Sequence, residues 1–144
     1  MQRILVVDDH AIVRKGLIKI LKESDAGISV DEAGYGQEAL AMVLRTGYAL
    51  VLMDISMPGG GGFGVLKEIK RHRPLLPVLM LSMHSEKEYA LRALGAGASG
   101  YVTKDSAAEE LVGAIRKVLS GGRYVSASLA GRLASEMDAD VSSL

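Results

Sequence analysis
Three short runs along the chain, ILVV from Ile4, LVLM from Leu50 and VLML from Val78, are apolar at every position. A strand with one wet face alternates apolar and polar residues, so unbroken runs predict strands buried on both faces of a parallel sheet. Weaker runs, ISVDEA from Ile28 and SGYVT from Ser99, bring the expected strands to five. Between the runs the apolar period becomes that of a helix. Val13, Leu17, Ile20 and Leu21 form one stripe, Ala39, Leu40, Val43 and Leu44 a second, and Val65, Leu66 and Ile69 a third. Leu91 and Leu94 mark a fourth, and Leu111, Val112, Ile115, Val118 and Leu119 a fifth. Gly47, Pro74, Gly95 and Gly121 fall where these helices should stop, and the cations of KRHRP suit the negative end of a helix dipole. Strand and helix alternate five times, which predicts an α/β domain with right-handed crossovers and helices on both faces of a doubly wound parallel sheet.

At 144 residues, about half of them apolar, the chain suffices for one sizeable core and not for a second full domain. It contains no cysteine. Disulfides and thiolate metal sites are thereby excluded, and chemistry must come from carboxylates, hydroxyls, lysines or histidines. No apolar stretch approaches the roughly 20 residues that span a bilayer. The first residues carry no signal-peptide pattern, so the expected setting is cytoplasmic, without a membrane partner. Seventeen basic residues balance seventeen acidic ones, which removes the global field that would hold a polyanion. KEIKRHR is then a solvated helix end, and any DNA contact needs a further domain. After SGG the chain changes character: Leu129, Leu133 and Met137 offer one short helical stripe before the sequence turns small and polar. Residues 122–144 are accordingly expected to form a linker or short C-terminal helix leading to an effector domain absent from this chain.

Asp8 and Asp9 end the first strand, Asp54 the third, Ser82 the fourth and Lys104 the fifth. In an open doubly wound sheet the carboxyl ends share one edge, and ligands bind there where the strand order reverses. Singly, each residue has a structural explanation as a helix cap, a loop residue or a solvated lysine. Jointly they place three acids, a hydroxyl and an amine on one edge and nothing comparable on the other. Three carboxylates a few Å apart bind protons or recruit a cation. All-oxygen ligation selects a hard ion, and Mg²⁺ fits best because it takes one or two carboxylates at about 2.0 to 2.1 Å and completes its shell with water and phosphate oxygens. A carboxylate beside such an ion and an ammonium can attack phosphorus in line, and Asp54 is the candidate nucleophile. The glycines that follow it do not form a P-loop, because no lysine followed by Ser or Thr closes the stretch. With Pro58 they suit a tight reversal from strand into helix. His10 and His84, far apart and without a third imidazole, are expected to be unliganded surface histidines.

In combination, ILVVDDH, LVLMDISMPG, VLMLS and GASGYVTKDS resemble the receiver domain of two-component response regulators over residues 1 to about 121. DDHAIVRKGL and GYVTKDS look most similar to the NarL/FixJ subfamily, whose members usually carry a C-terminal LuxR-type helix-turn-helix domain. The resemblance implies a flavodoxin-like, five-stranded parallel sheet in the order 2-1-3-4-5 with five helices. It implies phosphoryl transfer from a sensor histidine kinase to Asp54, with Mg²⁺ held by Asp9, Asp54 and the Ser56 backbone carbonyl and with Asp8 acting mainly through water. It also implies that Ser82 and Lys104 bind phosphoryl oxygens, that Tyr101 is the switch residue that follows Ser82, and that Ser56 and His84 tune the access of water. The chain departs from the family in its glycine-rich GGGGFG and in Asp105, which stands where many receivers have proline.

The function expected from this is a phosphorylation-dependent switch, not a metabolic enzyme. Phosphorylation adds roughly 1.5 to 2 negative charges. That charge biases a two-state equilibrium on the fourth helix and fifth strand, controlling homodimerisation and a C-terminal DNA-binding transcription regulator. Two alternatives differ in class. A phosphorylation-independent dimerisation module would not need the complete acid, hydroxyl and lysine set. A haloacid-dehalogenase-like phosphatase uses similar groups but wants D-x-D in the first strand, where this chain has DDH, together with a cap insertion.

Overall fold
The computed structural model describes residues 2–25, 27–55, 61–83 and 87–126. The first half of the chain runs β1 (Gln2–Val7), α1 (Ala11–Ser24), β2 (Ile28–Ala33), α2 (Gly36–Arg45), β3 (Leu50–Asp54) and α3 (Gly61–His72). The second runs β4 (Val78–Ser82), α4 (Lys87–Gly95), β5 (Gly100–Thr103), a 3₁₀ turn (Lys104–Ser106), α5 (Ala107–Leu119) and β6 (Tyr124–Val125). All neighbouring strands pair in parallel, in the order β2-β1-β3-β4-β5-β6.

The unbroken apolar runs are explained by what covers each face. In β1, Ile4 and Val6 enter the layer built with Leu17 and Leu21 of α1 and Leu111 and Ile115 of α5. Leu5 and Val7 enter the opposite layer, with Val43 of α2 and Leu66 and Ile69 of α3. Alternation still operates, but both faces are dry. Burying each such side chain contributes about 1.5 to 3 kcal/mol, enough in sum to hold strand ends in register across the sheet. No described helix is long and apolar enough to cross a membrane.

The helix expected from Leu91 and Leu94 is present as α4, with Leu91 41% exposed and Ala90 and Ala93 fully buried. Small residues let α4 lie close against β5. The sheet has six strands among the described residues, not five. Gly121, at φ 95°, ends the turn after α5, and the chain then adds β6 outside β5, with Tyr124 N donating to Ser99 O at 3.0 Å and Ser126 N to Tyr101 O at 3.1 Å. Gly100 makes room for this strand, since a Cβ there would meet Tyr124 O at 2.6 Å. Two residues are too few to show a period, which is why the strand was not legible. Leu129, Leu133 and Met137 lie outside the described residues.

Candidate functional site
Register brings the strand ends together. Val7 pairs with Met53, Met53 with Met80, Asp54 with Leu81 and Ser82 with Thr103. The polar residue at or just past each strand end therefore emerges on one edge. Asp8 and Asp54 are both fully buried there, as is Ser82. Lys104 follows β5 in the 3₁₀ turn and turns its ammonium inward, with only 14% of its side chain exposed. Its Nζ lies 3.3 Å from Asp8 Oδ2 and 3.2 Å from Asp54 Oδ2, so one cation spans the ends of β1 and β3.

Asp8 serves two purposes with its two oxygens. Oδ1 accepts a hydrogen bond from His10 N at 2.8 Å and so shapes the chain as it enters α1. Oδ2 faces Lys104. Neither acid is the cap of α1: His10 holds that position, without a side-chain cap hydrogen bond. One donor atom from each of Asp8, Asp9, His10 and Asp54 lies within 4.8 Å of all the others. A single ammonium does not balance three carboxylates at that spacing. Asp9 Oδ1 is buried yet accepts no hydrogen bond among the described residues, and such an oxygen has lone pairs to offer a cation. The donor set is all carboxylate apart from His10, which suits a hard divalent ion.

Of the residues singled out in the sequence, Asp8, Asp9, Asp54 and Lys104 come together, and Ser82 sits one strand away. Tyr101 is fully buried in the layer under α2 to α4, below the edge. Ser56 and His84 lie outside the described residues. Three further residues support the edge and carried little or no signal. Arg14 donates from Nη1 to the Asp8 carbonyl at 2.6 Å and from Nε to Glu32 Oε1 at 3.0 Å, tying α1 and β2 to the end of β1. The Arg14 hydrogen bond holds the Glu32 carboxyl below its ordinary range. Ser126, fully buried, accepts from Thr103 N at 3.2 Å, next to Lys104. His10, expected to be an unliganded surface histidine, places Nδ1 3.0 Å from Asp9 Oδ1.

The glycine cluster after Asp54 has a local cause in its described part. Gly62 N donates to Ile55 O at 2.8 Å, and a Cβ on Gly62 would meet Asp54 O at 2.5 Å and Ile55 Cα at 2.8 Å. Only a residue without a side chain lets α3 start this close to the backbone of Asp54.

Comparison with known proteins agrees with this geometry. The family described as response regulator receiver domain matches residues 4–116. Response regulator UvrY of Escherichia coli (strain K12) is 38% identical over 134 residues, covering 93% of this chain and 62% of that protein. The chain thus spans about three fifths of the length of that relative. A two-component response regulator of the LuxR family from Aurantimonas sp. SI85-9A1 superposes with a TM-score of 0.89 at 39% identity, over 94% of this chain and 96% of that one. The isolated REC domain of RcsB from Salmonella enterica serovar Typhimurium, in the presence of phosphomimetic BeF3-, gives a TM-score of 0.80 at 26% identity, over 90% of this chain and 96% of that one. The family match takes in every strand end that builds the acidic edge, and this chain belongs to the response regulator receiver domain family.

Proposed function
We propose that this chain is a phosphorylation-dependent signalling switch whose Asp54 accepts a phosphoryl group from a sensor histidine kinase. The observation that carries the reading is Lys104 Nζ, 3.2 Å from Asp54 Oδ2 and 3.3 Å from Asp8 Oδ2, on an edge that also gathers Asp9. An Asp54 oxygen forms the new P–O bond as the N–P bond of the donor phosphohistidine breaks, and the electron pair returns to the imidazole. Lys104 meets the charge on the incoming phosphoryl oxygens without needing to move far, because its ammonium already stands beside the nucleophile. The Ser82 hydroxyl is the second donor to those oxygens.

Asp9, Asp54 and the Ser56 carbonyl would hold Mg²⁺, with Asp8 beside them; the buried lone pairs of Asp9 Oδ1 support that fit. When bound, Mg²⁺ supplies positive charge against the phosphoryl oxygens. Burial of Asp54 keeps bulk water from the acyl phosphate, and Ser56 and His84 tune the access that remains.

Phosphorylation adds roughly 1.5 to 2 negative charges to a buried position. Ser82 and Lys104 close on that charge, Tyr101 follows Ser82, and the surface of α4 and β5 changes. Carrying the population from 1:99 to 99:1 takes about 5.5 kcal/mol of differential stabilisation, within reach of several charge-assisted hydrogen bonds. The output is homodimerisation and control of a C-terminal DNA-binding domain beyond residue 144, in a cytoplasmic transcription regulator. The LuxR-family structure neighbour supports this output class.

The test is labelling by acetyl phosphate with Mg²⁺. Wild-type chain takes up one base-labile, hydroxylamine-sensitive phosphoryl group, and Asp54→Asn takes up none. Undiminished labelling of the variant would overturn the assignment.

A further inference from the structure
We infer that Ser126 is a positioning residue for Lys104: from the strand on which the chain leaves the sheet, its hydroxyl holds the backbone that carries the lysine; this rests on the phosphoacceptor reading proposed above, in which Lys104 meets the phosphoryl oxygens. β6 is joined to β5 by successive hydrogen bonds. Tyr124 N donates to Ser99 O at 3.0 Å, Ser126 N to Tyr101 O at 3.1 Å, and Thr103 N to Ser126 Oγ at 3.2 Å. The first two end on backbone carbonyls and the third on a side chain. β6 itself has only two residues, Tyr124 and Val125. The Ser126 hydroxyl therefore carries the pairing one step past the strand, to the residue just before Lys104.

That step matters because of how Lys104 is built. Its ammonium stands 3.2 Å from Asp54 Oδ2 and 3.3 Å from Asp8 Oδ2, at the end of a long flexible stem. Where the ammonium stands depends on where the stem begins. The residue that follows is Asp105, which lacks the ring with which proline fixes φ. The hydrogen bond from Thr103 N fixes the backbone on the other side of Lys104. Ser126 is fully buried and Thr103 is buried beside it, so water does not take the place of a lost hydroxyl. A separate contact holds β6 to α5, where the Tyr124 hydroxyl donates to the Glu110 carboxylate. Tyr124 pairs with Gly100, at the start of β5 and away from Lys104, so the two contacts on this strand can be broken one at a time.

The test is the rate at which the full chain is labelled by acetyl phosphate with Mg²⁺, together with hydrogen exchange at the Thr103 amide read by nuclear magnetic resonance. Ser126→Ala is expected to slow labelling about tenfold and to speed exchange at Thr103 by about the same factor, the upper end for one lost hydrogen bond. In a Lys104→Met background the same substitution should change the rate by less than about twofold, since the group that Ser126 positions is gone. Tyr124→Phe, which removes the Glu110 bond from the same strand, should label at the wild-type rate. If Ser126→Ala does not fold, Ser126→Cys, similar in size and a weak acceptor, takes its place with the same expectation. A wild-type rate in the Ser126 variant, a full further loss on top of Lys104→Met, or equal slowing in Tyr124→Phe would overturn the positioning role and leave Asp54 as the phosphoacceptor. Labelling that persists in Asp54→Asn would overturn both.

Discussion

Lys104 is the residue on which the edge balances. It sits between two fully buried carboxylates, and breaking a buried ion pair by removing one partner costs more than the pair contributes, because the charge left behind has lost its water. Lys104→Met is expected to lower the unfolding free energy by about 3 kcal/mol when divalent ions are absent. Urea denaturation in chelator checks this. Adding Asp54→Asn to that variant should recover part of the loss, since it removes one of the stranded charges; a double variant no more stable than Lys104→Met would refute the account. The identities of Asp8, Asp9, Asp54, Ser82 and Lys104 were legible because each ends an apolar run. The orientation of His10 was not, since it depends on the angle at which the chain leaves β1 for α1.

Among the elements, the join between β3 and α3 is the tightest. At Gly62 a Cβ would press on the backbone of Asp54 and Ile55, which cannot swing aside as a side chain can. Gly62→Ala is expected to cost about 1 to 3 kcal/mol in thermal or urea unfolding, the range for an overpacked site, and to slow acetyl phosphate labelling because α3 must back away from Asp54. Wild-type stability and labelling in this variant would show that the close approach is unnecessary. Runs of four apolar residues announced the central strands, and helical spacing announced α1, α2, α3 and α5. For α4 the spacing of Leu91 and Leu94 announced the helix, but not that Ala90 and Ala93 are its fully buried residues. For β6 there was nothing to detect, since pairing with Gly100 and Tyr101, and not a local pattern, defines it.

Across the molecule, the connection between α2 and β3 is joined to β2 by Tyr48, whose hydroxyl donates to Asp31 Oδ2 at 2.7 Å. Burial first, and the Asp31 carboxylate second, push the tyrosine up from 10 to about 12. A folded-state value above the unfolded one means stability that is complete below about pH 10 and is lost as pH rises through 12. Wild type should therefore lose stability across that window in urea titrations, and Tyr48→Phe should show a shallower decline; equal slopes would dismiss the role of this hydroxyl. By itself, the sequence determined the alternation of strands and helices, the burial of the central strands on both faces, and the gathering of acid, hydroxyl and amine at carboxyl ends. These follow from side-chain period and strand polarity, which are properties of neighbouring residues. Only the tertiary structure decided that Lys104 spans Asp8 and Asp54, that His10 faces Asp9, that Ser126 caps Thr103, and that a sixth strand closes the sheet. Each of these joins residues whose mutual distance and direction are set by how whole elements pack, and no local pattern carries that information.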